Sequence, residues 1–176
     1  MSHQAMLDLL AADGPHPGHR DKLMLFGQFV GSWDVDILLY QPDGTTRPLS
    51  GEWHFGWVLG GRAIQDVLIT RPAGDAAGQA GSTLRAYDPH TDAWWVVWVG
   101  PADREFSTLF ARQVGDRIVL EGQWTVADGG RAGRAFEWSF SDIAEDRFHW
   151  QGRISRDGGQ TWRLVEEMHA RRQRAT

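Results

Sequence analysis

The pattern that most constrains this chain is an alternation of large apolar and polar residues, which begins at Gly31 and continues almost to the last residue. Period-two alternation puts every second side chain on one side of an extended strand, so it predicts β-strands with one buried face. Clusters of Gly, Pro and Asp interrupt the alternation and predict tight turns. The predicted strands are Trp33–Tyr40, Gly51–Val58, Arg62–Thr70, Thr83–Tyr87, Trp94–Val99, Glu105–Arg112, Arg117–Trp124, Arg134–Phe140, Arg147–Ser155 and Thr161–Ala170.

Short strands joined by tight turns predict an all-β fold, arranged as an antiparallel meander. A meander of this size closes into a barrel because closure pairs its exposed edges. A barrel of roughly ten strands is wider than its own side chains can fill, so we expect an internal cavity. The barrel is predicted to span residues 31–176 as a single domain. Residues 1–30 predict one or two short helices, one capped by Ser2 and one from Arg20 to about Val30, that pack on the barrel or cap it.

The alternation also predicts which side chains point into the barrel. In the first strand, Trp33 and Val35 face inward and the aspartates between and after them face water. The same parity in the third and tenth strands points Arg62, Asp66 and Glu166 inward. It also turns Trp162 and Leu164 inward, whereas the direction of Arg85 and Tyr87 is left open. The predicted ligand-binding residues are Trp53, Phe55, Trp57, Arg62, Asp66, Arg85, Tyr87, Trp98, Trp138, Trp150 and Glu166.

Two interpretations of this interior stay open. The chain has 10 Trp among 176 residues, and indoles both fill solid cores and line ligand cavities. Buried charges must pair because desolvation of a lone charge is costly. Arg62, Asp66 and Glu166 therefore form either an internal salt-bridge cluster or the polar end of a pocket. In the second case Arg62 or Arg85 would meet a ligand carboxylate, carbonyl or phenolate.

Charge and cysteine content exclude several classes of function. The net charge is −5 and no long basic stretch occurs, so we expect no nucleic-acid partner. The absence of cysteine excludes disulfides, thiolate nucleophiles and thiolate-bound metals, and it favours a reducing, cytoplasmic location. We find no signal-peptide pattern and no apolar run long enough to predict a membrane span.

Several segments resemble a known group of barrels. Gly31-Ser32-Trp33, placed between a predicted helix and the first strand, is similar to the G-x-W motif of calycins, the lipocalin and fatty-acid-binding proteins. In the segments at 60–66, 83–88 and 155–162, the chain resembles the bacterial calycin-like proteins of the domain-of-unknown-function family DUF1579. The resemblance implies a calycin-like barrel with an internal cavity and implies no particular activity.

The segment from Ser155 to Trp162 matches the Asp-box pattern S-x-D-x-G-x-T-W. In families that carry this box it is a hairpin turn, in which the Asp binds loop amides, the Gly adopts positive φ and the Trp packs beneath. The resemblance implies a folding device rather than a catalytic site.

The histidines predict no metal site. His16 and His19 lie in a Pro/Gly linker without a rigid set of carboxylates. His54, His149 and His169 fall on the outward parity, and they are expected to meet only if two strands carry bulges. We expect no cofactor; haem bound through His169 is the alternative, because nitrobindin-like barrels hold haem through a histidine near the C-terminus. The outward parity of His169 and the absence of that family's G-x-W-x-G-x-G opening count against haem.

The favoured function is binding of a small, largely apolar molecule, aromatic or isoprenoid-like, in a cavity with a polar end. The alternative is a cofactor-independent enzyme of the cyclase, hydratase, isomerase or decarboxylase type. In that enzyme Glu166 or Asp66 would be the general acid or base, Arg62 would stabilise developing negative charge and Tyr87 would donate a proton. An outward apolar row of Trp95, Val97 and Val99 is the candidate seam of a homodimer.

Overall fold

A computed structural model describes residues 3–71, 78–102, 104–123 and 135–174 of the chain. Two helices, α1 (His3–Leu10) and α2 (Arg20–Gly27), precede the barrel, with a 3-10 turn at Pro17–His19 between them. The strands are β1 (Ala11–Ala12), β2 (Gly31–Tyr40), β3 (Thr46–Val58), β4 (Ala63–Arg71), β5 (Gln79–Asp88), β6 (Ala93–Gly100), β7 (Glu105–Val114), β8 (Arg117–Gln123), β9 (Ala135–Ser141), β10 (Arg147–Ser155) and β11 (Arg163–Arg172). Each predicted strand is present, Arg147–Ser155 with its predicted bounds and the others with one or both ends shifted; Trp124 and Arg134, predicted at strand ends, lie outside the described residues.

The strands form a closed antiparallel barrel, as predicted. From β2 onward each strand pairs with the next one along the chain, and β11 pairs with β2 to close the ring of ten strands. The short β1 is an addition, because Ala11 pairs with Val58 where β2 no longer covers β3. Among the described strands, closure leaves no long unpaired edge, which is why the meander is a stable arrangement.

The segment before the barrel closes one of its ends. Phe26 of α2 and Phe29 just after it are fully buried. The Phe26 ring lies 4.9 Å from the indole of Trp94, and the Phe29 ring lies 4.9 Å from the rings of both Phe140 and Phe148. These contacts fill the barrel end beneath α2 with aromatic side chains. A division of the chain into parts at residue 30 stays a prediction.

One irregularity changes which residues point inward. Between β10 and β11 the register shifts at Gly152 and Arg153, so that Gly152 pairs with Glu166 and Arg153 pairs with Leu164. Val165 is the extra residue of this β-bulge. A bulge reverses the side on which residues beyond it lie. None of the described helices has the length and apolarity that crossing a membrane requires.

Candidate functional site

The half of the barrel away from α2 contains a cavity of about 490 Å³, within the range of small-molecule sites. Six of the eleven predicted ligand-binding residues are in its wall. Those that line it are Trp53, Arg85, Trp98, Trp138, Trp150 and Glu166.

The indoles form a continuous aromatic arc along the cavity wall. The ring centroids of Trp98 and Trp138 are 6.3 Å apart, those of Trp138 and Trp150 are 5.7 Å apart, and those of Trp150 and Trp53 are 6.4 Å apart. Tilted and edge-to-face arrangements of this kind are the favoured geometries of aromatic pairs. The arc therefore offers a ligand a pre-formed apolar wall.

The cavity stays open because two indoles of its wall pack directly against glycines. A Cβ atom at Gly81 would lie 2.1 Å from the Trp98 ring, and one at Gly152 would lie 2.8 Å from the Trp150 ring. No side chain larger than hydrogen fits at either position without displacing the indole. Each tryptophan thus occupies the space that a side chain on the wall would take, and the lumen beyond it remains open.

The inner end of the cavity is built around a buried ion pair. Arg85 on β5 bonds the carboxylate of Asp66 on β4, and the two side chains are 1% and 0% exposed. Asp66 also accepts the backbone N–H of Thr83 at 3.2 Å. The Arg85 guanidinium lies over the rings of Phe26 and Phe55, at 5.2 and 5.5 Å from their centroids. Phenyl rings thus hold the cation in place from two sides while Asp66 neutralises it.

Two buried donors belong to residues of the cavity wall. Among the described residues, Nε of Arg85 and Nε1 of Trp53 are buried N–H groups without a hydrogen-bond acceptor. Both residues line the cavity. A buried unsatisfied donor costs about 1 to 3 kcal/mol, and such groups in native proteins call for an explanation.

Arginines surround the open end of the cavity. Arg47 on β3 and Arg163 on β11 are exposed and line it, and Arg153 and Arg156 also line it; among the described lining residues the acids are Glu105 and Glu166. Arg153 is bound to Glu137, with Nη2 2.6 Å from Oε1. The described residues at this end of the cavity thus carry an excess of positive charge, on a chain of net charge −5. Sequence reasoning missed these arginines because they come together only where the ends of distant strands converge.

The position predicted for Arg62 is wrong. The left-handed turn at Gly60 and Gly61 (φ 64° and 75°) ends only at Ala63, where β4 begins. Arg62 is therefore outside the strand, and the alternation of side chains along β4 does not determine where its side chain points. It is exposed, and its Nη2 lies 2.8 Å from Nε2 of His16.

Other predicted residues lie near the cavity without lining it. Asp66 is buried behind Arg85, and Phe55 packs beneath it. Trp57 covers Gly27 of α2, and Tyr87 faces inward at the closed end, where its hydroxyl donates to Asp92 at 2.8 Å. The expected catalytic set of Glu166, Asp66 and Arg62 is therefore not assembled, since Glu166 alone of these three lines the cavity.

The inward direction predicted for Trp162 and Leu164 is also wrong. Neither residue lines the cavity, whereas Arg163 and Val165 do. The bulge at Val165 reverses the parity between these residues and Glu166. Trp162 instead lies against Arg153, 5.2 Å from the guanidinium carbon to the ring centroid.

The loop between β10 and β11 makes the contacts predicted from its sequence. Asp157 accepts the backbone N–H of Thr161 at 2.9 Å and its hydroxyl at 2.6 Å, and Gly158 and Gly159 have φ of 71° and 92°. The Trp162 indole donates to the Gly159 carbonyl at 3.1 Å. The bonds from Thr161 lower the pKa of Asp157 to about 2. The resemblance to Asp-box families itself stays a prediction.

The histidines on the barrel face outward, as predicted, but two of them meet without the expected bulges. His149 and His169 are direct cross-strand partners, with parallel rings 4.4 Å apart. His169 is exposed and does not line the cavity, and the prediction on cofactors, with haem through His169 as its alternative, stays a prediction. No histidine in the described part of the chain lines the cavity.

The outer apolar row also lies where the sequence predicts it. Trp95 and Val99 are 52% and 39% exposed, and the Trp95 ring lies 4.2 Å from that of Phe110 on β7. A homodimer through this face stays a prediction.

Comparison with solved structures shows the same fold in proteins of low sequence identity. Rv2717c from M. tuberculosis is 19% identical with a TM-score of 0.62, and the match covers 91% of this chain and 99% of that one. An S-type phycobiliprotein lyase, CPES from Guillardia theta, is 10% identical with a TM-score of 0.59, covering 87% and 93%. At these identities the likeness concerns the fold alone, and it supports a calycin-like barrel. No family model matches the chain, and no curated protein matches it.

Proposed function

We propose that this protein binds a small, largely apolar molecule that carries a hydrogen-bond acceptor or an anionic group, and that it holds this molecule in the barrel cavity. The observation that carries the proposal is the pair of unpartnered buried donors, Nε of Arg85 and Nε1 of Trp53, in the wall of an aromatic cavity. An acceptor that reached either group from the cavity would satisfy it.

The energetics favour such a ligand over a purely apolar one. A hydrogen bond to a cationic donor contributes about 1.5 to 3 kcal/mol and one to a neutral donor about 0.5 to 1.5 kcal/mol. Asp66 neutralises Arg85, so the inner end offers hydrogen bonds rather than a free charge. The arginine rim adds a positive potential along the route of entry. The carboxylate, carbonyl and phenolate groups are the chemical classes that fit.

The aromatic arc favours a particular shape for the apolar part of the ligand. A flat ring system packs against the faces and edges of indoles, and burial of apolar area contributes about 25 cal/mol per Å². Stacking on Trp138 and Trp150 therefore favours an aromatic body over a flexible isoprenoid one. We propose a ligand of two or three fused or linked rings with one acceptor at its inner end.

Catalysis is the alternative, and one observation favours it: the Glu166 carboxylate lines the same cavity as the unpartnered donors. One barrel of similar fold is named a phycobiliprotein lyase, so this fold occurs in a protein named for an enzymatic activity. If the cavity is catalytic, Glu166→Gln abolishes turnover of a bound substrate while ligand affinity is retained.

A matched pair of fluorescent probes tests the binding proposal. 8-Anilinonaphthalene-1-sulfonate has an anionic acceptor, whereas N-phenyl-1-naphthylamine has the same rings without it. We expect both to bind and the sulfonate to bind more tightly. Trp53→Phe keeps an aromatic ring but removes the indole donor, so it should weaken sulfonate binding about 2- to 10-fold and leave the amine unchanged.

The control is Trp95→Phe, which removes an indole from the outer wall that is 52% exposed. This variant should bind both probes as the wild type does. Failure of both probes to bind, or an equal effect of the Trp53 and Trp95 substitutions, would overturn the proposal.

A further inference from the structure

The outer wall of the barrel carries a second cluster of functional side chains, away from the cavity. His149 on β10 is the cross-strand partner of His169 on β11, and their rings are parallel within 3° at a centroid distance of 4.4 Å. Glu167 lies on the same face of β11, with Oε2 3.2 Å from Nε2 of His149. One potential ligand atom from each of the three residues lies within 4.8 Å of the other two.

Two imidazoles and one carboxylate are a ligand set that zinc uses in proteins. Two ligand atoms about 2.0 Å from a tetrahedral zinc lie roughly 3.3 Å apart. The cluster must therefore contract by about 1.5 Å at its widest separation, and the stacked imidazoles must rotate so that their in-plane nitrogen lone pairs converge on one ion. His169 is exposed and the other two side chains are partly exposed, so rotation about their side-chain bonds can supply this movement. We propose that His149, Glu167 and His169 bind a divalent transition-metal ion, with Zn²⁺ as the representative, on the outer wall of the barrel.

A neighbouring residue orients the carboxylate. The hydroxyl of Tyr40 on β2 donates to Oε1 of Glu167 at 2.5 Å. This bond occupies Oε1, while Oε2 lies 3.2 Å from Nε2 of His149. Gln151 also hydrogen-bonds this carboxylate. Hydrogen bonds to a ligating carboxylate from outside the ligand set commonly raise metal affinity about 10- to 100-fold. Tyr40 is therefore a positioning residue of the site.

Another histidine on the barrel shows what a purely structural contact looks like. Nε2 of His54 lies 3.2 Å from Oε2 of Glu52, the same distance as in the His149–Glu167 contact. Its other ring nitrogen, Nδ1, is bonded to Ser32 Oγ at 2.9 Å. His54 has one carboxylate and no second imidazole beside it among the described clusters. It therefore provides a matched control.

The test uses the full chain without a histidine tag, stripped of metal by a chelator. Calorimetric titration with Zn²⁺ should give one site per chain, and Co²⁺ should give visible absorption bands of tetrahedral coordination. His149→Gln and His169→Gln should each weaken binding by about tenfold or more, and Tyr40→Phe by about 10- to 100-fold. His54→Gln should leave both readouts unchanged.

Absence of Zn²⁺ binding would overturn the proposal, as would binding that persists in both the His149 and His169 variants. The latter result would assign the ion to other residues, such as His16 and His19 near the N-terminus. Because His169 is exposed, its substitution decides the question even if His149→Gln is unstable. Circular dichroism of each metal-free variant checks that the barrel is folded.

Discussion

The buried ion pair at the inner end of the cavity makes the sharpest prediction. Replacing Arg85 by methionine removes the cation but leaves the Asp66 carboxylate, whose side chain is 0% exposed, without its partner. Removing one member of a buried pair costs about 3 to 5 kcal/mol, because an uncompensated charge stays desolvated. For a chain of this length each kcal/mol corresponds to about 2 to 4 °C in Tm, so the midpoint should fall by about 6 to 20 °C.

Replacing both partners by apolar residues of similar size should restore most of this stability. In the Asp66→Leu, Arg85→Met double variant no charge is left buried, and exchanges of this kind are often neutral or stabilising. The remaining cost is the bond from the Thr83 N–H, which loses its acceptor and contributes about 1 kcal/mol. The double variant should therefore be more stable than the single variant by about 2 to 4 kcal/mol.

Urea unfolding followed by tryptophan fluorescence measures the free energy of unfolding of all three proteins, with an unchanged m-value as the check that the same surface is exposed. Equal stability of the single and double variants would refute the reasoning, because the pair would then not be desolvated. The double variant also tests the site. It lacks the Arg85 donor yet is folded, so its affinity for the sulfonate probe should fall while the amine probe binds as before.

Three further predictions concern the wall, the rim and the loop. Gly81→Ala should displace Trp98 into the lumen, which would lower the affinity for both probes and destabilise the fold by about 1 to 3 kcal/mol; unchanged probe binding would contradict the packing argument. Arg47→Gln should weaken only the sulfonate probe, and the effect should shrink at 1 M salt, where screening acts over about 3 Å. The pKa of Asp157 is about 2, below its ordinary value, so the stability that its carboxylate contributes is complete above about pH 5 and is lost as the pH falls toward 2. The Tm difference between wild type and Asp157→Asn should therefore shrink over that range, and a difference that is constant with pH would be the contrary result.

The barrel could be predicted from the sequence because its evidence is local. Alternation in a strand such as β2 fixes both its extended backbone and its buried face, and Trp33, Val35 and Ile37 are buried as expected. The same rule turns Asp66 and Glu166 toward the interior. Closure followed from the number of strands and the shortness of the turns.

The predictions of side-chain direction were wrong where a turn or a paired strand, rather than the spacing of apolar residues in the sequence, determines the direction. Arg62 was given a strand's parity, but the Gly60-Gly61 turn ends after it. Trp162 and Leu164 lie before a bulge that is defined by the pairing of β10 with β11 and leaves no mark in either strand alone. The arginine rim and the meeting of His149 with His169 depend on strand register across the barrel, which alternation does not encode.

A comparison of two indoles supports placing the proposed function in the open half of the barrel. Trp33 and Trp53 are direct partners across the β2–β3 ladder, and both are almost fully buried. The Trp33 N–H donates to the carbonyl of Phe29 at 2.7 Å, at the end of the barrel that α2 closes, whereas the Trp53 N–H has no partner. Phenylalanine would fill the position of Trp53 without an unpaired donor, so packing alone does not account for an indole there. The chain tolerates the cost at the residue that opens onto the lumen, where a bound acceptor would remove it.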